Sequence, residues 1–274
     1  MRSAAITITI AGISICFGTN DAALTARIRK RYAGWITKGL RPLITFRCMT
    51  VKKNGSGLSG LPKVVLTMPD RGHIKRSDFD CRWDRGYGTI ALRGSVYSFD
   101  ACLRVLLSAL LPRHGGLLLH ASAVAAAKGR GYVFAGPSGS GKTTIVRLLD
   151  TSSILNDELC AVRTDKKKGV TVNGTPFWGE MRRGPVHPEP FRLVALYFLK
   201  KASFTMREHI DSIETFGRLL GCICSFSKKA EETDHILCVV ERIVKIVPAY
   251  NLHFRRSADE VAGVALCSGD CCAA

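Results

Sequence analysis

The strongest constraint on what this chain can fold into is the run YVFAGPSGSGKTTIVRLLD at residues 132–150. Apolar, strand-like residues lead into Gly136-Pro137-Ser138-Gly139-Ser140-Gly141-Lys142-Thr143, and an apolar helical pattern follows. The eight residues satisfy G-x-x-x-x-G-K-[ST] at every fixed position, and the strand–turn–helix context is the one in which that spacing has a mechanism. Glycines let backbone N–H groups turn inward around a β-phosphate, Lys142 reaches the β- and γ-phosphates, and the Thr143 hydroxyl reaches Mg²⁺. Gly136, Ser138, Gly139, Ser140, Gly141, Lys142, Thr143 and Thr144 are therefore the expected nucleotide-binding residues, with ATP and Mg²⁺ as ligands. The loop leaves the acceptor open: water, a nucleotide, a small metabolite or another polypeptide.

The surroundings narrow the choice. Before the loop, SFDACLRVLLSALLPRHGG reads as a helix that Ser98 or Asp100 can cap and Pro112 and Gly115 end. GLLLHASAV and GYVFAG read as strands joined by a short turn at 128–130. After the loop, ILNDELCAVR is a strand interrupted by acids, and Asp157-Glu158 lies 14 residues beyond Thr143. That distance allows one short helix and a turn before the carboxylates return beside the loop. A carboxylate there can hold Mg²⁺ or accept a proton from an attacking hydroxyl, or it can simply cap a turn. Further helices are expected at 211–221 and 234–247, and strands at VTVNGTPFWGE and FRLVALYFLKKA.

From residue 4 to 93 the apolar runs are short and β-like, punctuated by KKNGSGLSGLP and MPDRGH, with one helix expected at DAALTARIRKRYAGWI. The fold class is therefore α/β, divided as a β-rich N-terminal region, 1–97, and a P-loop domain with a mixed sheet, 98–274. The net charge of +18 sits mainly at the front, where residues 1–115 carry 19 Lys and Arg against 6 Asp. Such a surface attracts anionic partners or serves general solubility. It carries no aromatic-interleaved basic stripe, so nucleic acid is not a clear partner. The 11 cysteines are irregularly spaced, form no paired Cys-x-x-Cys units, and read as reduced thiols. In the opening MRSAAITITIAGISICFG, Ile6, Ile8 and Ile10 alternate with threonines, which is a strand pattern and not a signal peptide. No run reaches a membrane span, and a cytoplasmic protein is expected.

Taken together, GLLLHASAV, GPSGSGKTT and SILNDELCAVR resemble the kinase domain of bacterial HPr kinase/phosphorylase. GTPFWGE and IVPAYNLHF look closer still to a divergent HPr-kinase-like branch, some members of which phosphorylate the C-terminal serine of a lasso precursor peptide. The resemblance covers roughly 98–255 and implies a fold related to phosphoenolpyruvate carboxykinase. It implies that His120 is the family histidine near the transferred phosphate and that Asp157 is the second member of an Asp pair whose first place Asn156 takes. It also implies that Glu180 is a glutamate near the metal. On that basis Asp157, His120 and Lys142 are the catalytic candidates, and Thr143, Glu180 and Asp157 the metal ligands. His120 could instead be a satisfied strand histidine, and Glu180 a surface acid. The chain lacks the Pro-Gly-Arg-Asn run that the resembled enzymes use for phosphorolysis, and Asn156 removes one carboxylate from the pair. Both departures argue against a bifunctional enzyme acting on the HPr carrier.

What the resemblance implies is an ATP- and Mg²⁺-dependent serine kinase acting on a peptide or protein, with a lasso-type precursor as the specific guess. The basic 1–97 region would then recognise the substrate. A kinase of a small hydroxylated metabolite such as free serine, or a nucleotide-dependent regulatory module, remains open. A homo-oligomer is allowed, since the resembled enzymes form rings. Arg182, Arg183 and Arg192 are weaker candidates for neutralising transferred charge, and His187 marks a loop.

Overall fold

The computed structural model describes residues 4–51, 62–68, 70–93, 96–149, 154–165, 169–181, 187–227 and 229–266. Among them the chain is mixed α/β, with two mixed sheets and six α-helices. It forms two compact units, one of residues 1–114 with 225–235, the other of 115–224 with 236–274. No helix among the described residues is long and apolar enough to cross a membrane.

The first unit holds β1 (Ala4–Ile10), β2 (Ile13–Thr19), α1 (Ala22–Arg31), β3 (Ile36–Thr37), β4 (Ile44–Val51), β5 (Lys63–Met68), β6 (Arg71–Arg76), β7 (Phe79–Asp84), β8 (Tyr87–Arg93) and α2 (Val96–Leu110). Its strands form one sheet in the order β3-β1-β2-β4-β8-β7-β6-β5, in which β2–β4 and β4–β8 are parallel. The Ile-Thr alternation of the opening is a strand, with Ile6, Ile8 and Ile10 all buried. Asp21 caps α1 by accepting from the Leu24 N–H at 2.9 Å.

Helix α2 departs from the expected start. It begins at Val96, so Ser98 and Asp100 lie inside it and cap nothing. Ser98 donates to the Arg93 carbonyl at 3.2 Å. The buried Asp100 carboxylate accepts from the Tyr32 hydroxyl and from Arg31, at 2.6 Å from Nε and 2.5 Å from Nη2. Phe99 stands edge-on to Phe17 at 4.9 Å and to Tyr32 at 5.5 Å. These contacts hold α2 in the first unit, so the unit boundary falls after the helix, at His114, where the sequence reading put it before the helix. Arg113 in the same unit pairs with Glu232 and, at 3.3 Å, with Glu231.

The second unit holds β9 (Gly116–Ala126), β10 (Arg130–Ala135), α3 (Lys142–Leu148), β11 (Ile154–Asn156), β12 (Leu159–Asp165), β13 (Gly169–Asn173), β14 (Pro190–Lys201), β15 (Met206–Ile210), α4 (Ser212–Leu220), most of α5 (Ala230–Ile246), β16 (Ala249–Phe254) and α6 (Ala258–Ala265). The sheet runs β10-β9-β12-β13-β14-β16-β15, and β10 also pairs with β14. The expected strands and the turn at 128–130 are present, except that the strand expected at VTVNGTPFWGE ends at Asn173 and the rest of that run is loop, and α5 starts a turn earlier than its apolar pattern suggests. Three strands, β10, β14 and β16, run parallel, so their carboxyl ends gather on one edge. That edge is where an open α/β sheet offers a ligand crevice.

Eight described cysteines take part in no disulfide: Cys16, Cys48, Cys81, Cys102, Cys160, Cys222, Cys224 and Cys238. The tail cysteines Cys267, Cys271 and Cys272 lie outside the described residues.

Candidate phosphate-loop site

The glycine-rich loop leaves the carboxyl end of β10 and enters α3 at Lys142. Gly141 is at φ +104°, and a Cβ there would lie 2.7 Å from the Phe254 ring, so both backbone and packing demand glycine. Phe254 ends β16, which explains why the distant IVPAYNLHF segment belongs to the site. The Lys142 ammonium folds back over the loop and donates to the carbonyls of Gly136 at 2.9 Å and Pro137 at 3.1 Å. Ser140 Oγ is buried without a hydrogen-bond partner among the described residues.

Strand register brings the other expected residues to the loop. Ala121 of β9 pairs with Ala135 of β10, so His120 stands where β10 turns out of the sheet. It is the single exposed residue between Leu117 and Ala125 in an otherwise buried strand. Leu159 of β12 pairs with His120, which places Asp157-Glu158 immediately beside the histidine. The acidic pair is the break between β11 and β12, both of which pair with β9. The Ser122 hydroxyl pins that break by donating to the Asp157 carbonyl at 3.1 Å.

Asn156 and Asp157 are both fully engaged with the TPFWGE segment. Asn156 Nδ2 donates to the carbonyls of Thr175 at 3.0 Å and Phe177 at 3.1 Å, while its Oδ1 accepts from the N–H groups of Glu158 and Leu159, each at 2.6 Å. Asp157 is buried, and its two oxygens accept from the Gly179 N–H at 2.8 Å and the Met181 N–H at 2.9 Å. Its carboxylate therefore fixes the 179–181 turn while bordering the crevice.

The crevice holds about 630 Å³ and brings together His120, Lys142, Thr143, Asp157, Glu158 and Glu180. Ser138, Gly139, Gly141 and Thr144 also line it, while Gly136 and Ser140 lie elsewhere in the loop. Glu180 is exposed, its carboxylate 4.0 Å from Arg147. Lys201 at the end of β14, which the sequence does not single out, also lines the crevice. Glu158 packs on Gly179, where a Cβ would stand 3.0 Å from its own Cβ.

The electrostatics tie the cluster together. Burial, and then the Lys142 charge, hold the His120 pKa below the usual imidazole value, with Glu158 opposing. Burial also lowers the Lys142 pKa, against the opposing fields of Cys222 and Glu158. Glu158 is thus the carboxylate whose field reaches both His120 and Lys142.

Among the weaker candidates, Arg182 and Arg183 lie outside the described residues. Arg192 pairs with Arg130 at the start of β10, about 20 Å of strand from the loop, so the fold does not bring it to the site. His187 lies on a loop, 3.2 Å from Glu189, and not in the crevice.

The class these features define is a mixed α/β protein with a glycine-rich loop of the G-x-x-x-x-G-K-[ST] type at the carboxyl edge of its second sheet. Residues 96–256 match the family model described as "ScmC: SynChlorMet cassette protein ScmC", and the chain belongs to that family. No curated protein matches it.

Proposed function

We propose that this chain is an ATP- and Mg²⁺-dependent kinase that transfers the γ-phosphate to a serine hydroxyl of a peptide or protein. In this reading the second unit has a fold of the HPr kinase and phosphoenolpyruvate carboxykinase kind. The observation that carries the reading is the convergence, in one crevice, of the loop and its Lys142 with His120 and the Asp157–Glu158 pair. A binding module needs the lysine and the threonine; it has no use for an imidazole and two carboxylates opposite them. The donor set suits a magnesium-bound triphosphate: a lysine, a threonine hydroxyl, carboxylates and an orphaned serine hydroxyl within the loop.

Bound nucleotide with Mg²⁺ would supply the transferable phosphoryl group. Lys142, held on the Gly136 and Pro137 carbonyls by two of its three N–H donors, would direct the third to the β- and γ-phosphate oxygens. Thr143, with Glu180 and Asp157, would hold the metal. His120, kept neutral by its surroundings, would orient the acceptor hydroxyl or the γ-phosphate. The serine proton passes to a carboxylate of the Asp157–Glu158 pair. The serine Oγ–P bond forms while the β,γ-bridging bond breaks, and ADP retains that electron pair. Phosphoryl transfer asks mainly for positioning and charge neutralisation, which this set supplies.

A lasso-type precursor ending in serine is the acceptor that the family resemblance suggests. The test is γ-labelled ATP with Mg²⁺ offered to a peptide ending in serine, to free serine and to the HPr carrier. Label on the peptide serine, lost in Lys142→Ala, is the expected result. Label only on free serine makes the protein a metabolite kinase, and label only in inorganic phosphate removes the kinase reading.

A further inference from the structure

We propose that a second hollow, at the Gly136–Ser138 end of the loop, is the acceptor subsite, and that it takes an apolar side chain adjacent to the acceptor serine of a peptide. This rests on the kinase reading above. The polarity of the loop locates the reacting end. Lys142, the group that serves the β- and γ-phosphates in loops of this type, lies on the Gly136 and Pro137 carbonyls. The γ end of a bound triphosphate therefore belongs at Gly136–Pro137. The nucleoside end leaves past Thr144, where a hollow of about 170 Å³ is bordered by Thr144, Lys201, Phe254 and Arg255.

The hollow at the γ end holds about 520 Å³. It exists because β10 abandons β9 at the loop and another segment takes its place. The His120 N–H donates to the Cys222 carbonyl at 2.7 Å, and the Cys224 N–H donates to the Leu118 carbonyl at 2.8 Å. Between this borrowed edge, the loop and the end of β14 lie Pro137, Phe198, Leu199 and Cys222. His120 and Ser138 border both this hollow and the phosphate crevice. A group seated here presents its neighbouring hydroxyl at His120, on the γ-phosphate side.

The lining selects the occupant. Its walls are largely apolar, and Arg218, which also borders it, is already committed to Glu214 and to Asn251 Oδ1, each at 2.6 Å. Free serine would bring an ammonium and a carboxylate against these walls, where Lys200, His120 and Ser138 are the polar side chains left to answer them, and desolvating both charges is only partly repaid. A peptide puts an apolar side chain there and keeps its backbone outside.

Gly221→Phe tests this. Gly221 sits at φ −66° on the border of the hollow, and a Cβ there meets only the Arg218 carbonyl at 3.4 Å, so a bulky side chain is accommodated at its rim. Steady-state transfer would be measured with the full chain on two peptides that carry Leu or Ala beside the acceptor serine. Nucleotide affinity would be followed with a fluorescent ADP analogue. The wild type should favour the Leu peptide about tenfold or more in kcat/KM. Gly221→Phe should lose that preference with nucleotide affinity unchanged. Should the variant fail to fold, site-resolved alkylation of the wild type decides. The Leu peptide should slow modification of Cys222 and leave the exposed Cys238 unaffected. Equal use of the two peptides by the wild type, a preference that survives in Gly221→Phe, or an unprotected Cys222 each overturns the subsite while the kinase reading stands. No transfer to any hydroxyl by the wild type overturns both.

Discussion

Asp157→Asn is the substitution a kinase reading would try first, and the structure predicts that it fails as a clean test of proton transfer. Each Asp157 oxygen accepts one backbone N–H, from Gly179 at 2.8 Å and Met181 at 2.9 Å, and the side chain is buried. An asparagine keeps one acceptor oxygen and turns an NH₂ donor toward the other N–H. One charge-assisted bond is lost, at about 1.5–3 kcal/mol, and a buried donor is left facing a donor, at about 1–3 kcal/mol. The two losses overlap, so about 3 kcal/mol is the expected destabilisation. In a chain of this size that lowers the midpoint of the second unit's transition by roughly 6–12 °C. The 179–181 turn carries Glu180 and supports Glu158, so nucleotide affinity should fall together with transfer. The assay is thermal or urea unfolding of wild type and variant, with ADP-analogue binding and transfer measured on the same samples. A variant within about 0.5 kcal/mol of wild type that binds nucleotide normally and has lost only transfer would refute this reasoning and make Asp157 a base alone.

Three further outcomes follow from the same site. Glu158→Gln, whose side chain borders the crevice, should lower transfer by about 100-fold or more, measured in the same γ-labelled ATP assay. Because burial and Lys142 depress the His120 pKa while Glu158 opposes them, an NMR titration should place the imidazole midpoint below the usual value. It should fall further in Glu158→Gln and rise in Lys142→Met, and a rise in Glu158→Gln would contradict the assignment. The linked effect on stability has one sign: the unfolded chain binds this proton more readily, so stability falls as pH drops from the usual imidazole value toward the lowered one, and is flat above that window. Gly141→Ala forces a side chain into φ +104° and against the Phe254 ring at 2.7 Å; it should cost about 1–3 kcal/mol in unfolding and abolish detectable ADP-analogue binding.

The parts of the fold that were legible in the sequence are those fixed by local chemistry. The strand, glycine loop and helix around Lys142 follow from three adjacent segments. The strand broken at Asp157-Glu158 shows in ILNDELCAVR itself, and the threonine-isoleucine alternation fixes β1. What was not legible depends on pairings between distant residues. Asp100 has the composition of a helix cap, yet its partners Arg31 and Tyr32 lie 69 and 68 residues away, and that network carries α2 into the first unit. Lys201 reaches the crevice, and Phe254 the loop at Gly141, only because β14 and β16 run parallel to β10; no spacing rule links them to the loop. Arg192 failed for the same reason, since it sits on the correct strand but at the wrong end.

The amide at position 156 then explains how the acidic pair is arranged. Viewed as a missing carboxylate, Asn156 weakens a two-acid site. In the structure it donates to two carbonyls of the TPFWGE segment and accepts from two N–H groups of the acidic break. A carboxylate at 156 could accept the latter two but would set a negative charge against the Thr175 and Phe177 carbonyls in a buried position. The residue there has to be an amide for the segment to close over the break. Once it is, Asp157 is drawn into the same clamp through Gly179 and Met181, and the next side chain along, Glu158, is the one whose field reaches His120 and Lys142. In the kinase reading proposed above, the second carboxylate of the pair would therefore stand at 158 in place of 156, leaving one acid fixed in the clamp and one facing the crevice.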